Sequence, residues 1–241
     1  MKMTQQIPVK CNLLDQAIRL FSVARNALDG SYGKYEANSE ALNLLNLTIR
    51  HIEGVITLAR TNLLLLSPAE VAARAAFEGS IRAAWLVQPG DPFDREPRWL
   101  AHLAGEEEYL RRQLRDLGLL GADGSELQGR LTTLTAFRRD AGSLIAERGY
   151  ATDSAIPNFR ECLRLLGEER MYLLYSLLSQ TAHATHSVTW RYRSGGLGTQ
   201  KVEGEFIEAD QWDLPLNICR FVRSERQQRS SSPASVRTPP G

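Results

Sequence analysis

The sequence predicts an all-α protein, a single bundle of about seven helices. Apolar residues recur at helical spacing through most of the 241 residues, and clusters of glycine, proline and polar residues separate these stretches. The hydrophobic content of 43% is sufficient for a substantial core. We therefore expect one helical domain over residues 1–226 and a disordered tail over residues 227–241, where serine, proline and arginine dominate.

The first two helices are predicted from amphipathic spacing. Leucine, alanine and phenylalanine recur at helical intervals over residues 10–29, and Gly30 and Gly33 then break the pattern. A longer pattern begins near Ser39 and is expected to end near Leu66.

The third helix has the clearest start signal in the chain. Ser67 offers an N-cap hydroxyl, Pro68 suits the first helical position, and Glu70 completes a capping box. The helix is expected to run to about Gln88, and its many alanines favour close packing against other helices.

Four shorter patterns predict further helices. The charged run GEEEYLRRQLRD, residues 105–116, is typical of a solvated face. Gly149 and Gly167 are expected to stop the two helices that precede them. The glycine-rich segment SGGLGTQKVEGEF, residues 194–206, predicts a loose hairpin or an ordered loop. The four helices are expected near residues 99–117, 125–148, 159–166 and 213–226.

The longest apolar pattern predicts a buried central helix from Glu168 to Arg193. Most of its circumference is apolar or small, but a polar line follows it at steps of four and three residues. An unpaired buried hydroxyl or imidazole costs about 1–3 kcal/mol, so this line must find partners on another helix. The polar line consists of Tyr172, Ser176, Ser179, His183, His186 and Trp190.

Composition argues against several classes of function. The formal net charge of +1 gives no global field that would select nucleic acid or an anionic membrane. The longest aliphatic run, Leu63–Leu66, is far too short for a membrane span, and the first residues lack the apolar core of a signal peptide. Cys11, Cys162 and Cys219 lie far apart and predict reduced thiols. We therefore expect a cytoplasmic protein that does not associate with a membrane.

A second polar line is predicted on the third helix. Arg74, Glu78 and Arg82 lie four residues apart, so Glu78 can pair with either arginine. The economical arrangement sets this line against that of the central helix. Glu78 is then expected within hydrogen-bonding distance of His183 or of an arginine beside it.

These two lines define a candidate site. Arginine near histidine in an apolar bundle could bind phosphate or support acid/base chemistry, and the same residues also suit a purely structural network. The candidate catalytic residues are His183, His186, Arg74 and Glu78. The candidate ligand-binding residues are Arg74, Arg82 and Ser179.

Metal, cofactor and serine chemistry are not expected. His183 and His186 are three residues apart, but no HExxH or Glu-x-x-His motif accompanies them. Ser179 precedes His183 by one turn without the glycine pattern of a nucleophile elbow. The SGGLGTQK segment lacks the GxxxxGK[ST] spacing of a phosphate loop.

The last predicted helix carries a local positive charge. Arg220, Arg223, Arg226 and Arg229 could contact nucleic acid, or they could form a solvated helix end that complements the helix dipole.

Two segments carry a resemblance to a known family. The alanine-rich VAARAAFEGSIRAAW and the later YLLYSLLSQTAHATH resemble a family of bacterial helical proteins of unknown function, which is more distantly similar to the HEPN superfamily. The likeness spans about residues 39–190. HEPN ribonucleases have an arginine shortly before a histidine on a late helix, whereas Leu178 and Ser179 precede His183 here. Arg98 and His102 come closer to that motif, but on another helix.

Two functions follow from the residues and the resemblance. The first is a non-catalytic helical module of a bacterial defence or regulatory system, which contacts a protein partner or a second copy, or binds an anionic ligand such as RNA or a nucleotide. The second is a metal-independent ribonuclease of HEPN-like type in which His183 acts as acid/base and Arg74 or Arg82 steadies the phosphate. Histidines in an open cleft beside arginine would favour catalysis, and sealed histidines would favour the first function.

Overall fold

The computed structural model describes residues 6–28, 30, 32–152, 155–189, 193–194, 202–203 and 207–220. These residues form an all-α fold, which confirms the predicted class. The helices are α1 (Gln6–Asn26), α2 (Glu36–Thr61), α3 (Leu66–Leu86), α4 (Glu96–Leu120), α5 (Ser125–Ala146), α6 (Phe159–Leu165), α7 (Tyr172–Ala182), α8 (His186–Thr189) and α9 (residues 213–220).

Extended structure in the described residues is limited to one short antiparallel pair. Arg193 lies opposite Glu203, and Ser194 lies opposite Val202. Ser194, Val202 and Glu203 belong to the glycine-rich segment for which the sequence predicts a hairpin or a loop, and Arg193 directly precedes it. The predicted tail over residues 227–241, the last part of the predicted final helix (221–226) and Trp190 lie outside the described residues.

The chain forms two compact units. The first unit draws on Met1–Ala27, Asn46–Ser80 and Arg170–Gly241, and the second on Leu28–Leu45 and Ile81–Glu169. Helices α2 and α3 each contribute residues to both units. The single domain over residues 1–226 stays a prediction.

Small side chains let the helices of the first unit pack closely. Ala69, Ala73 and Ala76 on α3 are fully buried together with Phe77. Trp212, just before α9, is also fully buried, and its indole Nε1 donates a hydrogen bond of 2.9 Å to the carbonyl of Leu63. This bond satisfies a buried N–H that would otherwise cost about 1–3 kcal/mol.

Two of the predicted glycine stops are confirmed. Gly149 (φ 84°) and Gly167 (φ 77°) adopt the left-handed conformation just after α5 and α6. After α6, the N–H of Glu168 donates to the carbonyl of Leu163 (2.8 Å) and that of Gly167 to Arg164 (3.0 Å). This is the Schellman pattern of hydrogen bonds, which satisfies the last carbonyls of a helix.

The predicted continuous central helix is wrong. The segment from Glu168 to Arg193 contains a 3₁₀ turn (Glu169–Met171) and the separate helices α7 and α8. Leu178 is fully buried, but Leu173 and Leu177 are 67% and 41% exposed. Only one side of α7 therefore contributes to the core.

The break after α7 is a Schellman stop that uses alanine in place of glycine. Ala184 has φ 47°, and its N–H donates to the carbonyl of Thr181 at 3.1 Å. The N–H of Thr185 donates to the carbonyl of Gln180 at 3.1 Å. Left-handed backbone costs a residue with a Cβ about 1–2 kcal/mol, so glycine is the usual residue at this position. An alanine there gives no stop signal in the sequence.

Ala184→Gly is expected to raise the free energy of unfolding by about 0.5–1 kcal/mol, because relief of the left-handed strain exceeds the added entropy of the unfolded chain. Urea titration followed by circular dichroism measures this change. The control is Ala182→Gly, at the last residue of α7. This change is expected to lower the free energy of unfolding by about 0.5 kcal/mol. A loss of stability in both variants would contradict the assigned backbone conformation.

Helices α4 and α5 of the second unit form an antiparallel hairpin. Gly121 (φ 65°) ends α4, and residues 121–124 connect α4 to α5. Leu119 and Leu120 at the tip are 86% and 80% exposed. Because most of α5 is at least partly exposed, this helix depends largely on its contacts with α4.

One charged residue of the run on α4 is not solvated, which corrects the predicted solvated face. The side chain of Glu107 is 1% exposed and accepts hydrogen bonds from Arg138 Nε (2.6 Å) on α5 and from Arg111 Nη2 (2.9 Å) on α4. Burial alone would raise the pKa of this carboxyl, but the two arginines outweigh it and leave the pKa below its usual value. The hairpin thus contains a buried carboxylate that joins its helices.

The three cysteines are free and buried. Cys11 and Cys219 belong to the first unit and Cys162 to the second. Burial raises the pKa of the Cys219 thiol to about 12, and it also raises the pKa of Cys11 and of Cys162. All three therefore remain thiols rather than thiolates near neutral pH.

Candidate functional site

The predicted pairing on α3 forms the base of the candidate site. Arg74 Nε donates to Glu78 Oε1 at 3.0 Å, one helical turn further along. The side chains are 18% and 32% exposed, so the pair is largely but not fully desolvated. The guanidinium is therefore held in one direction by its own helix.

Helix α7 supplies the other partners of the same guanidinium. Arg74 Nη2 donates to the hydroxyl of Tyr175 at 2.9 Å, and the guanidinium carbon lies 5.0 Å from the centre of that ring. Arg74 Nη1 lies 3.5 Å from Nε2 of His183, at the outer limit of a hydrogen bond. The predicted position of Glu78 is confirmed, because it pairs with an arginine that lies beside His183, but the full alignment of the two polar lines is not found.

These partners offset the effect of partial burial on the arginine. Burial alone would lower the pKa of Arg74, but the hydrogen bond to Tyr175 and the charge of Glu78 outweigh it and raise the pKa. A guanidinium has five N–H donors, and three of them point at Glu78, Tyr175 and His183, which leaves two that these contacts do not use. An anion could accept from those two.

The imidazole of His183 lies at the exposed end of α7. His183 is the residue that follows the last helical turn, and its N–H donates to the carbonyl of Ser179 at 3.0 Å. Its Nε2 can accept from Arg74 only when the ring is neutral and carries its proton on Nδ1. The histidine is therefore open to solvent on one side and faces a cation on the other.

A second polar bridge joins α3 to α7 beside this site. Thr181 Oγ1 donates to Glu70 Oε2 at 2.5 Å, and Glu70 is buried. The sequence places Glu70 only in a capping box, although it extends the line of Arg74 and Glu78 by one turn. That spacing is the signal that could have identified it.

Residues 41–198 match the family described as Family of unknown function (DUF5677). The chain belongs to this family. Neither the curated proteins nor the solved structures gave a match.

The DUF5677 match begins within α2 and ends beyond α8, so it contains every candidate residue and leaves out α1 and α9. A resemblance to a family of unknown function is therefore confirmed, and the family assigns no chemistry to the site.

The remaining candidate residues, Ser179, His186 and Arg82, take no part in the contacts of Arg74 that the structure gives. The Ser179 hydroxyl donates to the carbonyl of Tyr175 within α7 at 2.7 Å. His186 is exposed on α8. Arg82 belongs to the second unit, where its charge acts on the Cys162 thiol. The catalytic and ligand-binding roles of these residues stay predictions.

Two further properties of the described residues bear on function. No three His, Cys, Asp or Glu side chains of this part of the chain are grouped so that they could hold a metal ion. None of its helices combines the length and the apolar character needed to cross a membrane.

Proposed function

We propose that the protein is a non-catalytic helical module that binds a phosphate-bearing ligand, a nucleotide or RNA, at Arg74 and His183. The observation that supports this most is the exposed imidazole of His183, which lies 3.5 Å from a guanidinium held by two further partners. Such an arginine loses little conformational freedom on binding an anion, because its direction is already fixed.

The surroundings of Arg74 favour binding over catalysis. The formal charges of Arg74 and Glu78 cancel, so the pair offers less stabilisation to charge that develops during phosphoryl chemistry than an unpaired arginine would. Partial burial still strengthens each hydrogen bond to a bound phosphate. We place this module in the bacterial cytoplasm, within a defence or regulatory system. The bacterial setting and the kind of system rest on the resemblance alone, and the cytoplasmic location rests on the sequence expectations given above.

Arg74→Lys is expected to weaken binding of AMP or of a short single-stranded RNA about tenfold or more, because lysine cannot contact Glu78 and Tyr175 and still present two further donors. Isothermal titration calorimetry with the full chain measures the affinity. The matched control is Arg50→Lys, since Arg50 pairs with Glu53 on the exposed face of α2. Equal affinities of both variants, or no binding by the unmodified protein, would refute the proposed site.

The second candidate function is a metal-independent ribonuclease of HEPN-like type. Its support is the same open position of His183 beside Arg74, where an acid/base could reach a substrate. In this alternative His183 transfers the proton and Arg74 steadies the phosphate.

A further inference from the structure

A cavity of about 380 Å³ lies within the second unit. It is lined by the start of α2, a 3₁₀ turn (Pro92–Arg95), the first turn of α4, the second half of α5 and the two residues that follow α5. Its volume is towards the lower end of the range for small-molecule pockets. The space therefore suits a small ligand.

Three aromatic side chains from three different elements line this cavity, namely Phe93, Trp99 and Phe137. The rings of Trp99 and Phe137 are nearly perpendicular (83°), and their centres are 5.7 Å apart. Trp99 is 7% exposed, whereas Phe137 is 51% exposed. A ligand that covers the open Phe137 ring would remove apolar surface from water, which favours binding.

An internal cation shows where positive charge can bind in the cavity. Arg148, two residues after α5, is exposed, and its guanidinium carbon lies 4.5 Å from the centre of the Phe93 ring. The face of an aromatic ring attracts cations, but this attraction is weak at exposed sites. A ligand with a positive charge can therefore take the place of the Arg148 guanidinium.

Carboxyl groups give the cavity an excess of negative charge. Glu36, Glu96 and Glu147 line it together with a single arginine, Arg148. Even if Glu96 is protonated, the two exposed carboxylates outnumber the one guanidinium. The charge of the lining therefore favours a cationic ligand.

Glu96 is the buried member of these three. It is 7% exposed, and its Oε1 accepts a hydrogen bond of 3.1 Å from the N–H of Ala37. Burial and the negative charge of Glu36 raise the pKa of Glu96, although the hydrogen bond from Ala37 opposes them. The flanking arginines, Arg95 and Arg98, donate to groups that do not line the cavity. A cation in the cavity would therefore stabilise the charged form of this carboxyl group.

We infer that the cavity binds a small organic ammonium ion with an apolar body, its positive charge on the face of Phe93 and its body against Trp99 and Phe137. Aromatic rings recognise such ions, and the surplus carboxylates add electrostatic attraction. An anion would meet like charge, and a neutral apolar ligand would desolvate carboxylates without compensation. This binding does not depend on the proposed phosphate site at Arg74, which belongs to the first unit.

Isothermal titration calorimetry of the full chain with three probes of different charge tests the class of ligand. Benzyltrimethylammonium is expected to bind with a Kd of about 1 mM or tighter. Benzyl alcohol should bind about tenfold more weakly, and phenylacetate should not bind measurably. No binding of the ammonium probe, or equal affinity for the alcohol or the anion, would overturn the inference.

Phe137→Leu is expected to weaken binding of benzyltrimethylammonium about threefold or more, because leucine keeps apolar bulk but lacks the ring face. The matched control is Tyr109→Leu, which removes a 50% exposed ring of α4 that does not line the cavity. The control should leave the affinity unchanged. Equal affinities of the two variants would show that the probe binds elsewhere and would overturn the site.

Arg148→Gln is expected to strengthen binding of the same probe about two- to fivefold, because the guanidinium no longer competes for the face of Phe93. The control is Arg139→Gln, which removes the same charge from α5, where Arg139 pairs with Asp140 and does not line the cavity. This control should change the affinity less than about twofold. Unfolding cannot produce a gain in affinity, so unchanged or weaker binding by Arg148→Gln would overturn the position of the charge on Phe93.

Discussion

Replacement of Glu107 by glutamine is expected to lower the free energy of unfolding by about 2–3 kcal/mol, because the charge assistance of its hydrogen bonds from Arg111 and Arg138 is lost. A fully buried pair would lose more, but Arg111 and Arg138 are 43% and 32% exposed and can be hydrated after the change. Urea or thermal unfolding, followed by circular dichroism, measures the loss.

The neighbouring residue provides the control. Glu108 is 54% exposed and lies 3.9 Å from Arg112 and 3.5 Å from Arg115, so Glu108→Gln should cost about 0.5 kcal/mol or less. Equal effects of the two variants would contradict the buried role of Glu107.

Acid titration checks the same carboxylate by another route. Because the folded-state pKa of Glu107 is lowered, its contribution is present above the unfolded-state pKa and is lost as the pH falls through the folded-state pKa. The stability difference between the unmodified protein and Glu107→Gln should therefore shrink in acid.

His183→Gln is expected to separate the two proposed functions. The imidazole is exposed and its contact with Arg74 spans 3.5 Å, so the change should alter stability by about 0.5 kcal/mol or less. In the ribonuclease alternative, loss of the acid/base should lower the rate of RNA cleavage about 100-fold or more.

The cleavage assay contains a chelator and uses His51→Gln, on α2, as the control. Cleavage that survives His183→Gln would remove His183 from the mechanism, and cleavage abolished by chelation would refute the metal-independent route. If the unmodified protein cleaves no RNA but binds AMP, the binding module is supported and the ribonuclease is not.

Local chemistry predicts the glycine stops of two helices but not the start of α3, which begins at Leu66 and contains the predicted N-cap Ser67. Gly149 and Gly167 end helices because glycine adopts positive φ at little cost. Ala184 ends α7 through the same hydrogen bonds, but alanine is the best helix former, so no local signal marks the break. The predicted central helix therefore breaks at Ala184, and its first turn is also replaced by a 3₁₀ turn before Tyr172.

The candidate site shows a similar division. The Arg74–Glu78 pair follows from a spacing of four residues. The contact of Arg74 with Tyr175 depends on how α3 and α7 cross, which no spacing within one helix specifies.

The burial of Glu107 on α4 could have been predicted from the sequence, since Glu107 shares a helical line with Leu103 and Leu110.

Because the three thiols are buried, their reaction rates report how often the structure around each of them opens. A thiol reagent needs an accessible thiolate, so Cys219, with its pKa of about 12, reacts only when the surrounding structure opens. The reaction rate of Cys162 reports local opening in the second unit, and the rates of Cys11 and Cys219 report it at two places in the first unit. The reaction rates of one protein sample therefore measure, without any added label site, whether its two units open together or separately.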